Sequence, residues 1–144
     1  MNARTSRRYA LIVERHADLA RAGHGRYICT PDTAAILRVR ISPDLPITPV
    51  EYCEPIELAG TRVSLHPAGH VLGSAQARIE SSVPVADGGG TWVVTGDYKT
   101  VADRITPAFE TVGCDVFLSE STFGLPIYHW EPEDVVADRI NAWW

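Results

Sequence analysis

The chain has 144 residues, 45% of them apolar and 22% charged, which excludes an intrinsically disordered segment and fits one ordinary domain able to bury a core. A formal net charge of -5 argues against broad electrostatic capture of nucleic acid, although a local basic groove can coexist with an acidic total. Cys29, Cys53 and Cys114 are widely spaced with no CxxC pair, so neither a disulfide framework nor a cysteine zinc finger is indicated, and reduced thiols are expected. Met1 to Arg8 is basic and polar with no apolar run behind it, and no stretch approaches about 18 apolar residues. These features predict a soluble, cytoplasmic protein with no membrane partner.

Tyr9 to Val13 is a short apolar run that reads as a buried strand ending at Glu14, where ligand-type residues begin. Ala17 to Ala22 suits a short helix, Gly23-His24-Gly25 breaks it, and Arg26 to Cys29 is strand-like. Thr30-Pro31-Asp32 predicts a helix start, with Thr30 as cap and Pro31 in the first turn, continuing to about Arg40. A β-α-β-α opening follows. From Ile47 to Ile79 the pattern changes to short strands, including Ile56 to Leu58, Arg62 to Leu65 and Ala75 to Ile79, punctuated by Gly or Pro. Asp87-Gly88-Gly89-Gly90 is a turn signal, so Gln76 to Thr95 predicts a hairpin. Val116 to Ser119 reads as another buried strand ending at Glu120. Glu131 to Trp144 opens with Pro132 and acidic residues and predicts a helix. Its stripe of Val135, Val136, Ile140, Trp143 and Trp144 wants a partner layer, which suggests a truncated chain.

The chemistry concentrates at strand ends. Pro67-Ala68-Gly69-His70-Val71-Leu72-Gly73-Ser74-Ala75 carries a glycine-flanked histidine, and Thr95-Gly96-Asp97-Tyr98-Lys99 a glycine-flanked aspartate. Upstream, Glu14-Arg15-His16-Ala17-Asp18-Leu19 places His16 and Asp18 at i, i+2. Strand-end loops suit metal ligands, because a rigid sheet fixes their directions while the loop admits the ion.

These segments, with Ser119-Glu120-Ser121-Thr122-Phe123-Gly124, resemble the metallo-beta-lactamase fold in its beta-CASP branch, and more closely the bacterial ligase-associated DNA exonucleases, relatives of mRNA 3'-end processing nucleases. The resemblance runs from about Tyr9 to Trp144, and His66 to Gln76 is its most diagnostic stretch. It implies an α/β fold, an αββα sandwich present only in part, with a partial metallo-beta-lactamase-like domain over 1–124 and the start of a beta-CASP region over 125–144. It implies a two-zinc site that hydrolyses phosphodiesters, the two ions clamping the reacting oxygens. Its ligand loop falls on Glu14 to Leu19. His16, Asp18, His70 and Asp97 match ligands, Asp18 and Asp97 also as catalytic groups. Glu14 and Leu19 replace two ligand histidines. Glu14 can offer a carboxylate to the first ion, but Leu19 offers nothing to the second, which would keep Asp18 and Asp97 alone and bind zinc poorly. At most one zinc is therefore well supported. Glu120 matches the acidic residue that opens the beta-CASP insertion, and the histidines expected after that insertion would lie beyond Trp144.

Other residues carry open readings. His66 either lines the cleft or packs; His24 either touches a phosphate or holds its loop. Lys99 and Arg104 either meet a nucleic-acid backbone or lie in a solvated loop. Trp92, Trp130, Trp143 and Trp144 either stack bases or pack against protein. The leading expectation is a metal-dependent DNA exonuclease acting on a single strand or 3' end, in repair beside an ATP-dependent DNA ligase, with activity impaired in this chain. The alternatives are a non-catalytic binding module of the same fold and an RNA 3'-end processing nuclease. Oligomeric state stays open.

Overall fold

The computed structural model describes residues 9–13 and 23–144. The expected helix over Ala17 to Ala22 lies outside them. Strands β1 (Ala10–Leu11), β2 (Tyr27–Cys29) and β3 (Ile47–Pro49) form a parallel sheet in the order β1-β2-β3. Helix α1 (Pro31–Arg40) connects β2 to β3. Its start follows the sequence signals: the Thr30 hydroxyl accepts the Thr33 N–H at 3.3 Å, Pro31 occupies the first turn, Asp32 faces the positive end of the helix dipole, and Arg38 and Arg40 face the negative end. Ala34 and Leu37 pack on Ile12, Tyr27 and Cys29, one face of the parallel sheet.

Strands β4 (Ile56–Leu58), β5 (Thr61–Pro67), β6 (Ala75–Ser81), β7 (Gly90–Val94) and β8 (Val116–Leu118) form a second sheet in chain order. All its pairs are antiparallel except β7 with β8, which is parallel. Alternation sends Leu65, Ala75 and Ala77 toward the parallel sheet, where they meet Ile28 and Val50, with Leu11, Val13 and Val94 around them. The layers are therefore helix, sheet, sheet. The opposite face of the second sheet is crossed by the segment around Glu110, whose carbonyl accepts Gln76 Nε2–H at 2.7 Å.

One expectation needs correction. The run Val116 to Leu118 does form a strand, but Phe117 and Leu118 are about half exposed, at 50% and 49%. A short apolar run fixes strand character without fixing burial, and β8 is the outer strand of its sheet. The expected hairpin forms, with β6 antiparallel to β7 and a short helical turn at Val85–Asp87 before the glycines. Helix α2 (Glu133–Trp143) forms as expected, with no buried residue. Among the described residues no helix is long and apolar enough to cross a membrane.

Candidate functional site

The carboxyl ends of β1, β5, β7 and β8 meet at one corner, because β6 runs antiparallel to both its neighbours and its first residue, Ala75, donates its N–H to the Val13 carbonyl at 2.8 Å. His70 lies in the loop that leaves β5, and Asp97 in the loop that leaves β7. The structure brings them together, with His70 Nε2 3.8 Å from Asp97 Oδ2 and both side chains about one-third exposed.

The His70 loop is held from every side. Ser74 Oγ accepts the N–H groups of His70 and Val71 at 3.2 and 3.1 Å. The hydroxyls of Thr30 and Thr33, at the start of α1, both donate to the Gly73 carbonyl, at 2.8 and 2.9 Å. Tyr52 Oη–H donates to the Ser74 carbonyl at 2.8 Å, and burial pushes that phenol up to about 12, with nearby Asp32 adding to the rise. On the other flank, Lys99 N–H donates to the Ala68 carbonyl at 3.0 Å and the Thr106 hydroxyl to the Gly69 carbonyl at 3.3 Å. Gly69 adopts φ 70°, and a Cβ there would overlap the Lys99 carbonyl oxygen. The glycine that flanks the histidine thus serves close backbone approach.

Two donors at about 2.1 Å from one tetrahedral ion lie about 3.4 Å apart, so His70 Nε2 and Asp97 Oδ2, at 3.8 Å, would have to close by about 0.4 Å to share one. Glu14, His16 and Asp18, the other expected ligands, lie outside the described residues.

The remaining candidates take definite places. Lys99 Nζ pairs with Asp103 at 2.6 Å, and Asp103 also accepts the N–H groups of Ile105 and Thr106 at 2.8 and 2.6 Å. The Lys99 ammonium and these turn amides hold the Asp103 carboxyl well below the usual carboxylate range. Lys99 thus fastens its own turn, while Arg104 is exposed. Glu120 accepts the Thr122 N–H at 2.6 Å, a local turn contact. His24 holds its loop, its N–H donating to Tyr27 Oη at 3.2 Å and its ring edge-on to the tyrosine. Trp92 donates Nε1–H to the Gly89 carbonyl at 2.9 Å, and Trp130 packs edge-on against Phe123.

His66 is not beside His70. It points to the opposite face of β5 from Leu65, with Nδ1 3.0 Å from Glu110 Oε1 and 3.7 Å from Cys53 Sγ, and with Nε2 2.9 Å from Ser64 Oγ. Cys53 Sγ–H donates to Glu110 Oε2 at 3.5 Å; desolvation and the neighbouring carboxylate push the thiol pKa up. Sequence reasoning missed Cys53 and Glu110, since residues 53, 66 and 110 share no spacing motif.

No family model matches the chain. A probable DNA ligase of Opitutus terrae is 30% identical over 142 residues, covering 97% of this chain and 13% of the relative. Endoribonuclease YSH1 of Eremothecium gossypii is 35% identical over 80 residues, covering 54% of this chain and 10% of the relative. The chain thus spans only about a tenth of the length of these curated relatives. A metallo-beta-lactamase of Cronobacter sakazakii with a HARLDQ motif aligns over 65% of this chain and 39% of its own, at 19% identity and a TM-score of 0.46.

Proposed function

We propose that the chain is the metal-binding part of a DNA exonuclease of the metallo-beta-lactamase fold in its beta-CASP form, one that works beside an ATP-dependent DNA ligase. The observation that carries the hydrolase reading is the 3.8 Å approach of His70 Nε2 to Asp97 Oδ2 at the corner where four strand ends converge. The preference for DNA rests on extent: similarity to the probable DNA ligase covers 97% of the chain, and similarity to the endoribonuclease 54%.

In this reading His16, His70 and Asp97 would hold a zinc ion, with Glu14 as a fourth donor. The chemistry a bound zinc would supply is polarisation of the phosphodiester and a lowered pKa for water. Ser74 and Gly69 keep the His70 backbone in place, so the imidazole is presented without reorganisation. Asp18 orients the attacking water and takes its proton. Glu120 caps the entry to the beta-CASP region, proposed to begin at residue 125, beyond which every described residue is exposed.

The test is digestion of 3'-labelled single strands of matched DNA and RNA by the zinc-loaded chain, with Asp97→Ala alongside. DNA shortening that falls at least about 100-fold in the variant is expected. Cleavage confined to RNA would move the assignment to RNA processing. No cleavage of either strand would leave a binding module.

A further inference from the structure

Beyond the His70–Asp97 corner, we propose that Cys53, His66 and Glu110 form a second metal site, one that takes a zinc-class divalent ion in a tetrahedral set with one open position. The donors are a thiol, an imidazole and a carboxylate, and their ligating atoms all lie within 4.8 Å of one another. Tetrahedral zinc with a nitrogen and an oxygen ligand at about 2.1 Å and a sulfur at about 2.3 Å requires donor separations of about 3.4–3.6 Å. The observed separations are 3.0 Å for nitrogen to oxygen, 3.7 Å for nitrogen to sulfur and 3.5 Å for sulfur to oxygen. One ion therefore satisfies all three with movements of a few tenths of an ångström. The sulfur and imidazole donors disfavour magnesium and calcium, which prefer oxygen.

Each donor is fixed by a partner of its own. Ser64 meets His66 Nε2 at 2.9 Å, which turns Nδ1 toward the other two groups, the supporting contact that a ligating histidine needs. Cys53 sits at φ 63°, a left-handed conformation unusual for a side chain with a Cβ, and its N–H donates to the Leu65 carbonyl at 2.7 Å. Glu110 donates its N–H to the Pro67 carbonyl at 3.1 Å and accepts Gln76 Nε2–H at 2.7 Å. All three ligands thus hang from the end of β5 and its partner β6. Alternation places His66 on the outer face of the second sheet, away from the parallel sheet, so the site shares no donor with the His70–Asp97 pair. An ion there would tie together three segments distant in sequence, including the one whose Thr106 holds the Gly69 carbonyl.

The experiment is a cobalt titration of the metal-free 144-residue chain, read by the thiolate-to-cobalt charge-transfer band in the near ultraviolet. The band is expected in wild type, unchanged in His70→Ala/Asp97→Ala, absent in Cys53→Ser, and shifted to about 10–100-fold weaker cobalt affinity in Ser64→Ala. A second measurement needs no variant: zinc should slow alkylation of Cys53 at least about 10-fold while Cys114, also exposed, reacts at an unchanged rate. A wild-type chain with no thiolate band, or zinc that leaves the Cys53 alkylation rate unchanged, would overturn the site.

Discussion

Ser74→Ala isolates what holds the His70 loop. The residue is 2% exposed, and its Oγ is the shared acceptor for the His70 and Val71 N–H groups. Removal orphans two backbone donors at partly buried positions. Each net hydrogen bond is worth about 0.5–1.5 kcal/mol, and solvent recovers part of the loss, so the expected destabilisation is about 1–2 kcal/mol. For a domain of this size that lowers Tm by about 3–8 °C. Thermal and urea unfolding measure it, with Ser82→Ala, at an exposed position, as the control expected to stay within about 0.5 kcal/mol of wild type. Zinc affinity at the corner should fall as well, because the imidazole is carried by the loosened backbone. A Ser74→Ala chain that melts within about 1 °C of wild type would refute the claim that this hydroxyl organises the loop.

Gly69→Ala and Gly88→Ala both place alanine at positive φ, 70° and 82°, but only at position 69 does the new Cβ meet protein atoms. Gly88→Ala should cost about 1–2 kcal/mol and Gly69→Ala clearly more, read by urea unfolding. Burial raises the Cys29 thiol to about 11 from 9.0. The unfolded chain therefore loses that proton first as pH rises, and stability that is full below pH 9 declines toward pH 11, by about 1 kcal/mol at pH 10. Cys29→Ala should remove that part of the alkaline decline in unfolding titrations. Asp103 behaves oppositely: its lowered carboxyl stabilises the fold above the usual carboxylate range and ceases to do so on acidification, so Asp103→Asn should flatten the acid limb of the unfolding profile.

Much of the frame was legible because its signals are local. Thr30-Pro31-Asp32 carries cap, first-turn and dipole chemistry in three residues, and the helix begins there. The glycine-flanked His70 and Asp97 were readable as ligand-type residues at strand ends, and their approach follows from β6 running antiparallel to β5 and β7. What was not legible depends on tertiary layering. The half-exposed β8 has the same apolar run that a buried strand would have. His66 lies only four residues before His70, yet strand alternation turns it to the outer face, where its partners come from positions 53 and 110. No spacing rule links those three. Lys99 read as open to a phosphate contact or a solvated loop because Asp103, four residues on, gave no sign in sequence of folding back onto it.

Zinc binding at the strand-end corner is the central claim, and equilibrium dialysis in a Cys53→Ser background measures it with only this corner reporting. One equivalent of zinc is predicted, with binding lost in both His70→Ala and Asp97→Ala. Undiminished zinc binding in both variants would contradict it.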